Sequence, residues 1–461
     1  MEPEPRYRRT IDSARTSPST LRAMDEKHPQ SPRNDAPIQK PKSSWRSWSL
    51  VLCVLLAGGW LLWPRCHPAR VLSIEDRVHN ILTQTPLIDG HDDFPIFIRQ
   101  FYHNHIHETN FTKSFADGTL DGHVDLPRLK HGYVGGTFWS VYVPCPADWT
   151  DFSDENYAAS IRMTVEQVDV MKRVQQAYPD VFSTPPNGTT ALSAFQEGKI
   201  ISPLGIEGLH SIGNSFAHLR MFYDMGVSYS TLTHNCHNRY ADAALVEQPD
   251  GSLRKADPLW HGVSPTGQKL VSEMNRLGMI IDLAHVSEDT MRDVLGSGKT
   301  DWTGSRAPVI FSHSSAQALC PHPRNVPDDI LELVRQRNSI VMVNFAPDFI
   351  SCSASDRDDG LPDVDITHAT LERVADHIMH IGTVAGFDHV GLGSDFDGIP
   401  SVPRGLDDVS KFPALIAELL RRGLSDEGAA KVAGGNLLRV WREVDRVALA
   451  MQAEGVLPAE D

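Results

Sequence analysis

From residue 85 onward, short apolar or β-branched runs alternate with longer segments whose apolar residues recur every three or four positions. That alternation is expected of repeated βα units. Eight runs read as strands. The first four end at Leu87-Ile88-Asp89-Gly90-His91, Thr137-Phe138-Trp139-Ser140-Val141-Tyr142-Val143, Leu204-Gly205-Ile206-Glu207 and Tyr229-Ser230-Thr231-Leu232-Thr233-His234. The others end at Ile280-Ile281-Asp282-Leu283-Ala284-His285, Val309-Ile310-Phe311-Ser312-His313, Ile340-Val341-Met342-Val343-Asn344-Phe345 and Val390-Gly391-Leu392-Gly393-Ser394-Asp395. Between them the spacing predicts helices over 267–278, 326–337 and 368–384. The second opens on Pro327-Asp328-Asp329, with acidic residues placed to meet the helix dipole. Two or three helices over 404–453 are expected to close the fold. Asn238 to Pro265, polar and punctuated by Pro and Gly, is too long for a simple connection and is expected to be an active-site loop.

This is the pattern of an α/β protein, a (β/α)8 TIM barrel. Six of the eight runs finish on His, Glu or Asp, and in such a barrel those ends converge on one face, where catalysis sits. A doubly wound open sheet, the runner-up, would scatter them along a crevice.

The chain before residue 85 follows other rules. Residues 1–46 are rich in Pro, Ser and Arg and carry ten Lys/Arg against six Asp/Glu without apolar periodicity, which reads as a disordered cytosolic tail. Residues 47–64 hold no charge, are dominated by Leu and Val, and are just long enough to span a bilayer. A cleaved signal peptide has a short basic region before its apolar run, so an uncleaved signal-anchor is expected, with cleavage near Ala57-Gly58-Gly59 the alternative. The basic excess precedes the span and leaves the N-terminus cytosolic. Everything after Arg65 is then extracellular or lumenal: a linker and first helix (65–84), a catalytic barrel with its C-terminal helices (85–453) and a tail (454–461).

Charge and cysteine usage agree with that division. The tail's surplus of four positive charges against a total of −16 leaves −20 for the remainder, which argues against nucleic acid as a partner. Of six cysteines, Cys53 and Cys66 belong to the anchor region. The remaining Cys145, Cys236, Cys320 and Cys352 permit two disulfides in an oxidising compartment, and none lies in a C-x-x-C pattern suited to a thiolate zinc site. Sequons at Asn110 and Asn187 fit the same exposure as glycosylation sites.

The chemistry is concentrated at the strand ends. His91-x-Asp93 follows the first run and can aim an imidazole and a carboxylate at one cation. A second H-x-D, His123-Val124-Asp125, lacks a preceding apolar run and is expected in a surface connection. Glu207, His285 and His313 end three further runs. Singly, each such residue is more often structural. Together the five supply three nitrogens and two carboxylates at one mouth, and if Glu207 bridges, each of two metal ions receives three protein ligands with room for a shared water. Two divalent ions such as zinc would lower the pKa of that water and polarise a carbonyl, which is what amide hydrolysis needs. No G-x-S-x-G nucleophile motif competes with this reading. Asp395 can accept the water's proton and pass it to a leaving amine, or hold a substrate ammonium. His234 can donate to a developing oxyanion, and Arg324 offers a fork for a free carboxylate.

These stretches, with Gly135-Gly136-Thr137-Phe138-Trp139, Leu232-Thr233-His234-Asn235-Cys236, Arg324-Asn325-Val326-Pro327 and Asp395-Phe396-Asp397-Gly398, resemble the membrane (renal) dipeptidase family of zinc peptidases from about residue 72 to 445. The resemblance implies a metal-dependent hydrolase barrel that cuts dipeptides to free amino acids. It implies one zinc on His91, Asp93 and Glu207 and another on Glu207, His285 and His313. His234, Arg324 and Asp395 fall on the substrate-binding and catalytic positions. Some relatives also open β-lactam rings or trim glutathione-derived conjugates. Cys145 with Cys236, and Cys320 with Cys352, match the family's intrachain disulfides.

The chain also departs from the family pattern. Residues 446–461 contain no apolar tail for a lipid anchor, so the anchor is expected at the N-terminus. Asp92 stands where Asn is more usual, which bears on metal tuning. No cysteine follows Cys352, so a homodimer is expected to be noncovalent. One rival is another binuclear-metal barrel hydrolase acting on an N-acyl amino acid, a β-lactam or other cyclic amide, or a phosphoester; no lysine ends a strand, which disfavours subtypes bridged by a modified lysine. A non-enzymatic surface binding protein is the other rival, and it sits poorly with five intact ligands.

Overall fold

Eight parallel strands close into a barrel in the computed structural model, which describes residues 72–298 and 301–461. The strands are β1 Leu87–Asp92, β2 Val134–Tyr142, β3 Leu204–Glu207, β4 Val227–Thr231, β5 Ile280–Asp282, β6 Ile310–Phe311, β7 Ile340–Val343 and β8 Val390–Leu392. Each pairs with the strands before and after it in sequence, and Asp89 opposite Leu392 joins β1 to β8. The expected tail (1–46) and apolar span (47–64) lie outside the described residues, and among the described residues no helix is long and apolar enough to cross a membrane.

Side-chain alternation builds two cores. Ile88, Phe138, Tyr229, Ile280, Ile310, Ile340 and Met342 form one cluster that continues into Leu437, Val440, Trp441 and Val444 of the C-terminal helix Asn436–Ala453. Phe138 meets Trp441 edge-on with ring centroids 5.0 Å apart, so this helix plugs the barrel end away from the strand C-termini. The alternate positions, among them Leu87, Trp139, Val141, Leu204 and Ile206, pack outward against the helices.

The helices begin and stop where local chemistry says they must. Ser264 accepts from the Gly267 N–H, Pro265 occupies the first turn, and Gly278 at φ 88° ends the helix Pro265–Leu277. Thr370 caps Leu371–Val384, and Pro327 precedes Asp328–Gln336. The C-terminal region forms Phe412–Arg421, then Asp426–Ala430, which runs through a π turn into Asn436–Ala453. The last residues are docked: Ala459 N–H donates to Glu273, and the Asp461 side chain accepts from Phe216 N–H and Ser215.

Five strands stop earlier than the apolar runs indicate. β4, β5, β6, β7 and β8 end two or three residues before His234, His285, His313, Phe345 and Asp395. Beyond those points the backbone leaves the ladder and turns, and both His285 (φ 69°) and Asp395 (φ 66°) adopt the left-handed conformation. Non-glycine residues rarely do so, and such positions cluster at functional sites.

Candidate active site and metal centre

Because all eight strands run parallel, their C-terminal ends share one rim, and the five candidate ligands meet there. His91 Nε2 lies 3.4 Å from Asp93 Oδ2 and 3.5 Å from Glu207 Oε1. The same Glu207 oxygen lies 2.9 Å from His285 Nε2 and 3.6 Å from His313 Nε2, and those two nitrogens are 3.0 Å apart. Two overlapping triads result, His91–Asp93–Glu207 and Glu207–His285–His313, each with its ligand atoms close enough to surround one cation. A third grouping, His91–His313–Asp395, brings Asp395 to the same spot.

All of these side chains are buried, which makes the site electrostatically costly without a cation. Asp93 is pushed up by burial and then by the Glu207 carboxylate. Asp395 rises to about 7 through burial, with Asp93 and Glu207 adding to the effect. Burial opposes a charged His91 ring, yet the neighbouring Glu207 and Asp93 carboxylates outweigh it and hold His91 well above its ordinary value. In contrast, burial first and Arg324 second keep His285 well below. His91 Nε2 and Asp93 Oδ1 are buried without a hydrogen-bond partner among the described residues. A buried imidazole nitrogen without a hydrogen bond, facing two carboxylates within 3.5 Å, fits a divalent ion of the zinc type.

The three other candidates surround this cluster. His234 lies tilted against the His285 ring at 4.3 Å between centroids, beside the Cys145–Cys236 disulfide, and burial holds it well below its ordinary value, hence neutral. Arg324 is buried over the Phe349 ring, its Nε and Nη2 lack partners among the described residues, and burial lowers its pKa to about 10. A guanidinium with two free donors inside a protein is built to receive an anion. Asn344 Nδ2 donates to Asp395 Oδ2. The second disulfide, Cys320–Cys352, ties the connection after β6 to that after β7.

The loop from Asn238 to Pro265 carries a two-stranded ribbon, Leu245–Glu247 with Leu253–Lys255, and reaches the site through Ala244 N–H, which donates to the His285 carbonyl. His123-Val124-Asp125 stays out of the ligand cluster, but it is no surface connection. Val124 and Asp125 are buried, Asp125 caps the helix Leu126–His131, and His123 stacks on Phe396 while accepting from Asp397 N–H. The aromatic Phe396 beyond β8 supplies a cover that strand pattern alone does not reveal.

Several residues not singled out from sequence contact the candidate ligands. Tyr229 Oη lies 3.2 Å from His91 Nδ1, Asn235 Oδ1 3.1 Å from His285 Nδ1, and Ser312 Oγ 2.8 Å from His313 Nδ1. Ser140 donates to Glu207 Oε2, and the Tyr142 ring lies tilted against His234 at 4.9 Å between centroids. Asn235 and Ser312 are sequence neighbours of His234 and His313, which is the available signal; Tyr229 has none, since tyrosine is ordinary in a strand.

The chain is 44% identical over 387 residues to the dipeptidase aclJ of Aspergillus oryzae, covering 83% of each chain. It is also 44% identical over 371 residues to the dipeptidase tcpJ of Claviceps purpurea, covering 80% of this chain and 79% of that one. A crystal structure of a metallo peptidase from Rhodobacter sphaeroides, liganded with a phosphinate mimic of the dipeptide L-Ala-D-Ala, superposes with a TM-score of 0.63 at 25% identity, over 78% of this chain and 99% of that one. The profile of the membrane dipeptidases, Peptidase family M19, matches residues 75–455, and the chain belongs to that family.

Proposed function

We propose that this chain, a metal-dependent dipeptidase by its family, works with two zinc ions, one held by His91, Asp93 and Glu207 and the other by Glu207, His285 and His313. The observation that carries the reading is the single Glu207 oxygen facing three imidazole nitrogens within 3.6 Å. Bound there, the ions would polarise the scissile carbonyl and lower the pKa of a shared water.

The chain's own groups do the rest. Arg324 binds the substrate's free carboxylate through its unpaired donors, which selects short substrates that end near the rim. His234, kept neutral, donates toward the carbonyl oxygen as negative charge develops there. Asp395, anchored by Asn344, takes the attacking water's proton and returns it to the leaving amine. Burial of every member excludes bulk water and strengthens each of these contacts.

The decisive test is a substrate panel: dipeptides, N-acyl amino acids and a β-lactam offered to the purified chain. Dipeptides with both termini free should be hydrolysed fastest. Preference for N-acyl amino acids, or no turnover of any substrate, would replace this reading by one of its rivals.

Residues 47–64 are proposed to anchor the chain as a single-pass membrane protein, with residues 1–46 cytosolic and the barrel extracellular or lumenal. The two disulfides support an oxidising compartment, and Asn110 and Asn187 are exposed as acceptors of glycosylation require. Pairing into a homodimer would be noncovalent. Protease protection of the N-terminus in sealed membranes, with the barrel accessible from the other side, tests the orientation.

A further inference from the structure

Tyr229 sits in the middle of β4 with its ring inside the barrel, fully buried beside Phe138 at 5.3 Å between centroids. Ile88, Ile280, Ile310 and Met342 belong to the same apolar cluster. The ring occupies space that only glycine leaves open, because a β-carbon on Gly205 of β3 would stand 1.9 Å from it. A phenylalanine would fill that space equally well, whereas a buried hydroxyl costs about 1–3 kcal/mol unless it is hydrogen-bonded. Its partners are His91 Nδ1 at 3.2 Å and the Phe138 carbonyl at 3.5 Å.

The three candidate imidazole ligands share one arrangement, each meeting a neutral polar atom at Nδ1 so that Nε2 faces the centre. Asn235 serves His285 and Ser312 serves His313. Ser312 Oγ is also 3.4 Å from His91 Nδ1, but its contact with His313, at 2.8 Å, is much the shorter. Tyr229 is therefore the group left to serve His91. A carboxylate in its place would orient the ring as well, yet it would add another buried negative charge beside Asp93 and Glu207. A hydroxyl orients the ring without that cost.

We infer that Tyr229 is a positioning residue for His91: its hydroxyl accepts the Nδ1–H and donates its own hydrogen to the Phe138 carbonyl, fixing the tautomer that leaves Nε2 free for a metal ion. The inference rests on the reading of His91 as a ligand. Partners of this kind typically affect metal affinity by about 10–100-fold.

The test compares the full-length, detergent-purified wild-type chain with Tyr229→Phe in three measurements: zinc titration against a chromophoric chelator, the visible spectrum of the cobalt-loaded protein, and melting of the metal-free protein. Tyr229→Phe should melt like wild type when metal-free, bind one zinc about 10–100-fold more weakly, and shift the cobalt spectrum. Unchanged zinc affinity and cobalt spectrum in a folded Tyr229→Phe would overturn the inference. Should that variant not fold, Tyr229→Met, which fills the space without a hydroxyl, must show the same weakening. A wild-type chain that binds no zinc, or binds it equally well after His91→Ala, would instead defeat the metal reading itself.

Discussion

Asn344 Nδ2 donates to Asp395 Oδ2 at 2.9 Å, so the carboxyl proposed to carry the proton is held by an amide from the neighbouring strand end. The Asn344 Oδ1 is itself occupied by Ala346 N–H, which fixes which way the amide points. Asn344→Ala should leave zinc content unchanged and lower kcat by about tenfold or more, since a freed Asp395 spends less time aligned with the leaving amine. Steady-state kinetics beside a zinc assay check this; equal loss of zinc and activity would move Asn344 into the metal site instead.

Arg324 is the group proposed to bind the substrate carboxylate. Arg324→Ala should cost about 2–5 kcal/mol in kcat/KM for a dipeptide, the range for truncating one partner of a buried hydrogen-bonded charge pair. The same variant should lose far less toward the C-terminal amide of that dipeptide, which offers no carboxylate. A similar loss toward both substrates would remove Arg324 from recognition.

The two disulfides should differ in consequence. Cys145–Cys236 closes 91 residues of chain and Cys320–Cys352 closes 32, so the first constrains the unfolded chain more. Loop entropy gives about 4.6 and 3.7 kcal/mol respectively. The double serine variant at 145 and 236 should show the larger fall in melting temperature. It should also lose more activity, because His234 lies beside that bridge.

Stability should also depend on a histidine outside the candidate ligand cluster. His377 is buried between Ala316 N–H, which donates to its Nδ1, and the Ile350 carbonyl, and burial lowers its pKa to about 4. Between about pH 4 and 6.5 the unfolded chain takes up a proton that the folded chain refuses, so stability rises with pH through that window and is fully present above it. The contribution lost at the acid end is about 3 kcal/mol. Melting of metal-free wild type and His377→Gln across that range should show a shallower pH dependence in the variant; parallel curves would contradict the assignment.

How much of this could be read from residues alone follows from what each position costs. A histidine or carboxylate ending an apolar run is conspicuous because burying it is expensive, and His91, Glu207, His285 and His313 announce themselves in this way. The eight strands are legible as short apolar or β-branched runs that alternate with helical segments. Strand ends are not legible: β6 retains only Ile310 and Phe311, because its chain leaves the ladder at Ser312 while its neighbour β7 continues to Val343. Tyr229 and Asn344 are hidden because each looks ordinary within its run, and its meaning depends on a partner 138 or 51 residues away. The docking of Ala459 and Asp461 is likewise a tertiary fact, invisible to local pattern.

The central claim is that one glutamate joins two metal ions. Zinc per chain and dipeptide hydrolysis should be measured together on the full-length wild-type protein, on Glu207→Ala and on chelator-treated wild type. About two zinc ions per wild-type chain are predicted, as expected if one glutamate bridges them, with binding at both sites weakened and hydrolysis abolished in Glu207→Ala. A metal-free chain that still hydrolyses dipeptides, or a Glu207→Ala chain that keeps both ions and full activity, would contradict it.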